Sequence, residues 1–524
     1  MLLIITAATG VVSSYIILKR VLWTNIFMNK SSNSKNEDSN NTLIPFTQIP
    51  TPKGSLPYFG HLFILGKHPG LKAAEWIKEL GPIIQVHLGV KRWVLIGDPF
   101  IANEVFNSQG ASSSGRTFSL FTHHHAKGQR GIATPNPDKR WKKARALALE
   151  VLSPTNVNQY LNLIENEAYD LVNYLLKTSK GQDQGVDIFK PLQLASFNVI
   201  MTTCFGMRAE SIQDPLFRTM IGLIDEGMEK ADASADISTF LPIISFMDII
   251  FQREKGIADF IRDKRDPLFR HLIQQAIENE NDCLLKTIYK NKKISRLDDD
   301  DIMVIMVDMV AGATDTTAIT LTWALMILCR FRDDVQNRIC EELDQFIKKY
   351  NRLPTFEERN QVSFLFSVQK ECMRYKPTTP FGLPHEATKD LHCHGYHIPK
   401  GTILISCMNA LHQDPNIYPE PEKFNPERFS NDSKPMYASA NGKTENRDHF
   451  NFGWGRRICP GIYLAEVEVF MVLVRLFSKV TIEARMNTRD CPEYPDLDDE
   501  RNNGVTIMPV SPRLRFVERS SHLV

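Results

Sequence analysis

The chain has 524 residues, of which 43% are hydrophobic and 23% charged, the balance of an ordinary folded protein. Its formal net charge of +1 provides no overall positive field, so the composition does not favour binding to nucleic acid. The nine cysteines occur singly, without a Cys-x-x-Cys pair, which favours a reducing compartment over a disulfide-stabilised secreted fold.

The first 28 residues predict a membrane anchor. Seventeen uncharged, mostly apolar residues run from Leu2 to Leu18, and Lys19 and Arg20 follow directly. This length is at the short end of what crosses a hydrocarbon layer. A cleaved signal peptide is the alternative, but no positive charge precedes the run and no clear small-residue cleavage site follows it. The positive charges after the run predict that the body of the protein is cytosolic.

Residues 29–57 predict a tether between the anchor and the body of the protein. Residues 31–42 contain no apolar side chain, which is typical of a flexible segment. Prolines at 50, 52 and 57 then stiffen the chain. Because the composition does not shift and no repeat is visible from 58 to 524, we predict one large, mainly α domain with a small β region.

The periodicity of apolar residues predicts the elements of this domain. Two β-rich runs around Gly89, within 82–99, predict a hairpin. Residues typical of turns, Gly395 and the Pro399-Lys400-Gly401 segment, separate short runs and indicate a second β region over about 391–407. Amphipathic stretches predict helices near 156–178, 300–332 and 334–350.

The strongest chemical signal lies at residues 452–461, which read FGWGRRICPG and precede an apolar helical run. A cysteine just ahead of a helix has its thiolate favoured by the free backbone N–H groups of the first turn. The glycines let a flat cofactor approach the backbone, and Arg457 supplies a fixed cation for an acidic group on it. An isolated cysteine would more simply be a buried structural residue, but the whole F-x-x-G-x-R-x-C-x-G string argues against that.

This string resembles the haem-binding loop of the cytochrome P-450 family. The resemblance implies haem b as the cofactor, with Cys459 as the thiolate ligand of its iron. It also implies that Phe452 packs beside the haem and that Arg457 binds a haem propionate. Three further motifs follow the family's order, so the implied fold is the mainly helical cytochrome P-450 fold with a small β region and an N-terminal anchor.

The first of these motifs pairs Glu371 with Arg374, which lie at i and i+3 on one predicted helix face. Alone, such a pair would indicate only a solvated surface ion pair. The resemblance adds Arg428 from the later Pro-Glu-Arg-Phe motif. It thereby implies a buried structural triad that supports the cysteine loop, not a catalytic group.

The second motif lies in residues 302–331, a long apolar helix interrupted by Asp308, Asp315 and a threonine cluster. A second membrane span is the alternative, and the polar side chains argue against exposure to lipid. The resemblance places this helix across the haem, with Asp315 and Thr316 as the catalytic acid–alcohol pair. A carboxylate beside a hydroxyl can relay, through water, the protons that dioxygen reduction requires. Ala313 stands where the family usually has a second glycine.

The third motif places Trp141 and Arg145 four residues apart on one predicted helix face. An exposed basic helix is the alternative for this lysine-rich segment. The resemblance implies that both side chains bind a haem propionate and that His385 is another propionate donor. We expect Lys139, Arg140, Lys142 and Lys143 to remain as surface charge and to help dock an acidic flavoprotein reductase.

Two segments fall where the family's substrate-contacting loops run, and with one small residue of the long helix they supply candidate pocket residues. These candidates, for which core packing is an equal alternative, are Phe118, Phe121, Ala311, Thr379, Phe381 and Leu383. Residues 123–125, His-His-His, are expected in a loop near the pocket entrance. Neither that run nor the histidines at 392–397 have zinc-type spacing, so we do not expect metal there.

Together these motifs predict an NADPH-dependent monooxygenase that inserts one atom of dioxygen into a lipophilic small molecule such as a steroid, terpenoid or fatty acid. Because no flavin or ferredoxin domain is fused to the chain, we expect electrons from a separate membrane-bound NADPH–cytochrome P-450 reductase. The expected location is the endoplasmic reticulum membrane, with a single-pass anchor and a cytosolic catalytic domain. The alternatives are a haem-thiolate isomerase or dehydratase acting on a lipid peroxide without a reductase, and a non-catalytic haem protein. The intact acid–alcohol pair argues against both.

Overall fold

Helices dominate the computed structural model, which describes residues 47–231, 237–290 and 296–520. The described residues belong to one unit that begins at Thr47. The predicted anchor and most of the predicted tether, residues 1–46, lie outside the described residues. The prediction of a mainly α fold with a small β region is confirmed.

The helices of twelve residues or more make up most of the helical structure in the described chain. Labelled α1 to α10 in chain order, they are Pro69–Leu80, Lys139–Val151, Leu161–Ser179, Phe189–Phe205, Pro215–Ala231, Asp266–Glu278, Asp299–Arg330, Asn337–Tyr350, Ser363–Tyr375 and Ile462–Lys479. Shorter α-helices are Pro99–Asn103, Gly110–Ser113, Leu120–His125, Pro154–Val157, Ile237–Phe240, Ser245–Ile250, Arg253–Asp259, Leu284–Lys290, Met408–His412 and Met436–Ala440.

The long apolar segment forms α7, the central helix of the core. It begins with a capping box in which Asp298 and Asp301 each accept the other's backbone N–H, and three acidic residues occupy its positively polarised first turn. Every side chain from Thr317 to Cys329 is buried, and α7 packs closely against α4, which is itself buried almost all round. Within the described residues, α7 is the helix long and apolar enough to cross a membrane, but protein covers most of it.

The strands are short and lie at the edges of the helical core. Labelled β1 to β13, they are Ile83–Leu88, Lys91–Ile96, Val186–Asp187, His385–Glu386, Leu391–Cys393, Tyr396–Ile398, Ile403–Ser406, Val480–Glu483, Arg485–Met486, Pro492–Glu493, Glu500–Asn502, Ile507–Pro509 and Arg513–Glu518. The predicted hairpin at 82–99 is confirmed as antiparallel β1 and β2, and the second predicted β region supplies β5, β6 and β7.

One sheet carries His385, a predicted propionate donor. Its strand order is β1-β2-β7-β4, with β2 and β7 parallel and β7 and β4 antiparallel. His385 on β4 lies opposite Leu404 on the buried strand β7. The pairing therefore fixes His385 at the edge of a rigid sheet. A second sheet has the order β3-β13-β8 and closes the C-terminal end of the core.

Candidate active site

The cysteine loop is built on backbone geometry that requires glycine. Gly453 and Gly455 have φ values of +75° and +53°, and a Cβ at Gly455 would lie 2.2 Å from the carbonyl oxygen of Phe106. The backbone N–H of Cys459 donates to the carbonyl oxygen of Phe452 at 2.9 Å, which closes the loop. Helix α10 begins at Ile462, so the cysteine stands just ahead of a helix, as predicted.

The thiol of Cys459 faces a cavity of about 320 Å³. Burial raises the pKa of this thiol, while the Gly461 N–H and the nearby Arg145 guanidinium oppose that rise. A cation or metal ion in the cavity would favour the thiolate further, because a coordinated thiol loses its proton. Of the predicted site residues, those that line the cavity are Arg145, Thr316, Thr379, Phe381, Leu383, His385, Phe452, Arg457 and Cys459.

Three guanidinium groups meet at one edge of this cavity. Arg116 donates to the carbonyl oxygens of Ala133 at 3.0 Å and Pro384 at 2.7 Å. Arg457 donates to the carbonyl oxygen of Ser114 at 3.0 and 3.1 Å. Arg145 donates to the carbonyl oxygen of Ile458, and its Nε has no partner.

None of these three cations forms an ion pair within the part of the chain that the structure describes. Arg116 and Arg457 are half-buried, and both line the cavity. Burial, together with the charge of neighbouring arginines, lowers the pKa of Arg116 to about 10 and that of Arg457 to about 8; burial also lowers the pKa of Arg145. Buried cations are normally paired, so this cluster requires a ligand with negative charge.

These residues fit a haem group. A soft thiolate ligand for iron lies in the same cavity as an unpaired cation cluster that suits the two propionates of haem b. The open backbone around Gly453 leaves space for a flat ring, because no atom lies within 4 Å of the position that a Cβ would take.

His385 and Trp141 both lie beside the cation cluster, and each makes a different contact there. His385 lines the cavity, and its Nδ1 lies 2.9 Å from the carbonyl oxygen of Ser113, so Nδ1 carries the proton. Burial holds the pKa of His385 well below its usual range. The indole N–H of Trp141 donates to the carbonyl oxygen of Ile132 at 3.0 Å, and its ring lies 4.2 Å below the Arg457 guanidinium. Trp141 thus supports Arg457 here, and its direct contact with a propionate stays a prediction.

Asp315 and Thr316, the acid–alcohol pair on α7, lie in different environments. Thr316 lines the cavity, and its hydroxyl donates to the carbonyl oxygen of Gly312 at 2.6 Å. Asp315 turns toward α4, where the amide of buried Gln193 donates to its carboxylate at 2.6 Å. Burial raises the pKa of Asp315, although the Gln193 hydrogen bond opposes the rise. Gln193 in turn accepts from the exposed Lys190 ammonium at 2.9 Å.

The structure brings Glu371, Arg374 and Arg428 together. Both carboxylate oxygens of Glu371 accept from Arg374 at 2.7 Å, and Oε1 also accepts from Arg428 at 3.3 Å. The side chains of Glu371 and Arg374 are completely buried. Arg374 also donates to the carbonyl oxygens of His412 and Pro421, so the pair fixes the loop that precedes the cysteine segment.

Three of the six candidate pocket residues lie outside the cavity. Phe118 is largely exposed, Phe121 packs against the Ile257–Ile261 cluster, and Ala311 does not line the cavity, whereas Gly312 and Ala313 do. The expected histidine loop is instead the end of helix Leu120–His125, which a Ser119–Thr122 capping box starts. His123 and His124, with other residues, line a separate open depression of about 680 Å³ that contains no predicted catalytic residue.

Three side chains at or beside the cavity were not predicted from the sequence as site residues. Arg116 stands alone in SSSGRTF, Gln193 lies in a buried helix without a polar pattern, and Asp308 was noted only as a polar interruption. Each gains its role from a partner far away in the chain. A long apolar helix carrying buried carboxylates is the one signal that could have drawn attention to Asp308.

Comparison with known proteins identifies the family. The cytochrome P450 family model matches residues 50–507. The chain therefore belongs to the cytochrome P450 family, the haem-thiolate monooxygenases. Membership implies a haem iron cofactor, dioxygen, a lipophilic substrate and a redox partner.

Individual relatives are similar over most of their length. Cytochrome P450 CYP82J17 of Trigonella foenum-graecum is 29% identical, with 84% of this chain and 87% of that protein covered. Cytochrome P450 2E1 of Mesocricetus auratus is 29% identical, with 85% of this chain and 90% of that protein covered. A zebrafish cytochrome P450 structure with progesterone has a TM-score of 0.71 at 24% identity, covering 86% of this chain and 99% of that one. This last likeness shows the fold.

Proposed function

We propose that the chain is an NADPH-dependent monooxygenase that inserts one atom of dioxygen into a lipophilic small molecule such as a steroid, terpenoid or fatty acid. One observation carries the proposal: the Thr316 hydroxyl and the Cys459 sulfur line the same cavity as an unpaired cation cluster. That arrangement offers an iron ligand, a site for acidic groups and a hydroxyl for proton transfer in one enclosed space.

The residues around the cavity hold the cofactor. Cys459 would supply the sulfur ligand of the iron, and Arg116, Arg145 and Arg457 would bind the propionates by charge-assisted hydrogen bonds. Bound haem supplies the one-electron and dioxygen chemistry, which a thiolate ligand directs toward O–O cleavage. Phe452, beside the cysteine in the cavity wall, would exclude water from the sulfur.

Protons for the cavity would come from Asp315, at the α7–α4 contact. Lys190 donates to Gln193 and Gln193 donates to Asp315, and these hydrogen bonds would hold the carboxyl in place. Burial raises the pKa of Asp315, so this carboxyl holds a proton at higher pH than an ordinary aspartate does. The neighbouring Thr316 hydroxyl, on the cavity side, would pass the proton inward.

The electron donor would be a separate NADPH–cytochrome P-450 reductase. Lys142 and Lys143 are exposed on α2, and the buried face of the same helix carries Trp141 and Arg145 toward the cysteine loop. An acidic partner on those lysines would therefore approach the thiolate side. Arg140, also basic, is engaged by Asp298 and Asp301 and contributes less free charge.

The membrane location supports lipophilic substrates. The predicted anchor and the positive charges after it suit a single-pass protein of the endoplasmic reticulum with a cytosolic catalytic domain. Apolar residues such as Ile200, Met309 and Phe381 line the cavity. Progesterone, named with the zebrafish structure, is a lipophilic steroid of the class proposed.

Turnover with reductase and NADPH tests this function. Purified protein would be incubated with a mixed panel of steroids, terpenoids and fatty acids, and mass spectrometry would search for products heavier by one oxygen atom. The proposal predicts an NADPH-dependent product. Absence of that product, with rearrangement of an added lipid hydroperoxide instead, would contradict it and indicate a haem-thiolate isomerase.

A further inference from the structure

Asp308 on α7 is a buried carboxylate that the proposed chemistry does not use. Its side chain is 4% exposed and lines the cavity wall. Its Oδ2 accepts the backbone N–H groups of Ile132 at 2.7 Å and Ala133 at 3.1 Å. Its Oδ1 lies 2.8 Å from Nε2 of His125. Three donors from two separate chain segments therefore converge on one carboxylate.

The peptides that Asp308 holds also position the cation cluster. The carbonyl oxygen of Ile132 accepts from the Trp141 indole at 3.0 Å and from Arg457 at 3.4 Å. The carbonyl oxygen of Ala133 accepts from Arg116 at 3.0 Å. One short stretch of backbone thus binds the carboxylate through its N–H groups and the cavity cations through its carbonyls.

Gly131 shows how closely this stretch lies against α7. Its φ is +90°, and a Cβ there would lie 2.5 Å from Oδ2 of Asp308 and 2.8 Å from a methyl group of Val304. A side chain at this position would displace the carboxylate. The loop is therefore seated directly on Asp308, with no room for water between them.

His125 fixes the third hydrogen bond of Asp308. Arg265, which is 2% exposed, lies 3.3 Å from Nδ1 of His125 and donates to the His125 carbonyl oxygen at 2.9 Å. A guanidinium can only donate, so Nδ1 accepts and the ring proton is on Nε2, facing Asp308. His125 orients the carboxylate of Asp308 through Oδ1, while Oδ2 of the same carboxylate accepts the backbone N–H groups of the loop.

We propose that Asp308 is a positioning residue for haem retention, which holds residues 131–133 so that their carbonyls aim Arg116 and Arg457 at the haem propionates. The inference rests on the proposed function only in taking the cation cluster as the propionate site. A direct contact between Asp308 and a cationic substrate is the rival role. Three of about four acceptor positions on the carboxylate are already occupied, which favours positioning.

The rate of haem transfer from the loaded protein to excess apomyoglobin tests the proposal without requiring turnover. Asp308→Asn keeps the shape but loses the charge, and its NH₂ group meets at least one donor. We expect haem release to accelerate about tenfold or more. Glu342→Gln is the matched control, since Glu342 also accepts two successive backbone N–H groups, Phe364 and Leu365 at 2.9 Å, away from the cavity. It should leave haem release unchanged.

Two further variants separate positioning from general destabilisation. Because Arg116 is held through Ala133, the effects of Asp308→Asn and Arg116→Lys on the logarithm of the release rate should be clearly less than additive. His125→Leu removes one of the three donors and should accelerate release about threefold. Additive effects, or release at the wild-type rate in Asp308→Asn, would overturn the proposal. Where Asp308→Asn does not fold, release at the wild-type rate in His125→Leu overturns it.

Discussion

Thr316 and Cys459 line one cavity although they belong to distant segments of the chain. Thr316 is held on the wall by its hydrogen bond to the carbonyl oxygen of Gly312, and Cys459 by the closed loop ahead of α10. Because both are fixed by backbone geometry, the distance between the Thr316 hydroxyl and the Cys459 sulfur is set by packing of α7 against α10. The consequences for catalysis and stability can be tested separately.

Removing the Thr316 hydroxyl should uncouple NADPH oxidation from product formation. We expect Thr316→Ala to lower product formed per NADPH consumed by about tenfold or more, because proton transfer into the cavity loses its last hydroxyl. Thr322→Ala is the control, since Thr322 makes the same hydrogen bond four residues back but is buried away from the cavity. Equal coupling in Thr316→Ala and wild type would contradict the assigned role.

Gln193 should set the pH at which the relay works. The carboxylate of Asp315 is stabilised by the Gln193 N–H, so Gln193→Leu should raise the pKa of Asp315 beyond the rise that burial already causes. Because the protonated carboxyl of Asp315 is the proposed donor, activity should fall as pH rises through this pKa. The alkaline limb of the pH–rate profile should therefore move to higher pH in Gln193→Leu, and in the same direction in Lys190→Met, since Lys190 also lowers the pKa of Asp315. An unmoved limb in Gln193→Leu would exclude Asp315 from the relay.

Breaking the Glu371–Arg374 pair should destabilise the whole fold. Glu371→Gln leaves two guanidinium groups without a full partner, and removing one partner of a buried pair costs about 3–5 kcal/mol. Urea unfolding of the haem-loaded protein would measure the change. Glu358→Gln removes a carboxylate that also binds an arginine, Arg352, through both oxygens, but at the surface, and should change stability little. Similar losses in the two variants would contradict a supporting role for the triad.

Glu468 should make the protein less stable as pH rises. Burial raises the pKa of this carboxyl from 4.5 to about 7, and its Oε1 has no partner. The folded form therefore binds the proton more tightly than the unfolded form, and stability falls as pH increases between these two values. We expect Glu468→Gln to melt at higher temperature than wild type at about pH 8 and at a similar temperature at about pH 5.

Glu466 lies on the same helix as Glu468, and its substitution by glutamine should have a different effect on stability. Burial also raises the pKa of Glu466 to about 7, but its two oxygens accept the backbone N–H groups of Met436 and Tyr437 at 2.5 and 3.2 Å. A glutamine cannot accept both, so this variant should melt at lower temperature at either pH. A lower melting temperature for Glu468→Gln at the higher pH would show that its carboxylate has a partner.

The site residues that the sequence predicted best are those whose chemistry lies in one short string. Cys459 was predicted from the F-x-x-G-x-R-x-C-x-G string, and Thr316 from the resemblance of its segment to the family's central helix. Both side chains line the cavity, and their roles stay predictions. Helix spacing predicts only that Glu371 and Arg374 share a face, since they lie at i and i+3, and the buried triad with Arg428 was an expectation from the family resemblance.

Residues that act through long-range contacts could not be predicted. Arg116, Gln193 and Asp308 each bond to a segment more than a hundred residues away. Nothing beside Arg116 or Gln193 in the sequence marks them, and Asp308 is marked only as a carboxylate within an apolar helix. Phe118 and Phe121 were expected at the pocket from their position along the chain, and neither lines the cavity. A loop position in the family does not fix the direction of a side chain, and here one ring faces solvent and the other packs on a neighbouring helix.

The most direct test of the central claim is X-ray absorption at the iron edge of the haem-loaded protein. The wild-type spectrum should show sulfur in the first coordination shell of the iron, and Cys459→Ser should lose that sulfur contribution. Cys491→Ser, which changes an exposed cysteine, should match the wild type. Iron–sulfur scattering that persists in Cys459→Ser, or its absence from the wild type, would contradict the assignment of Cys459 as the haem ligand.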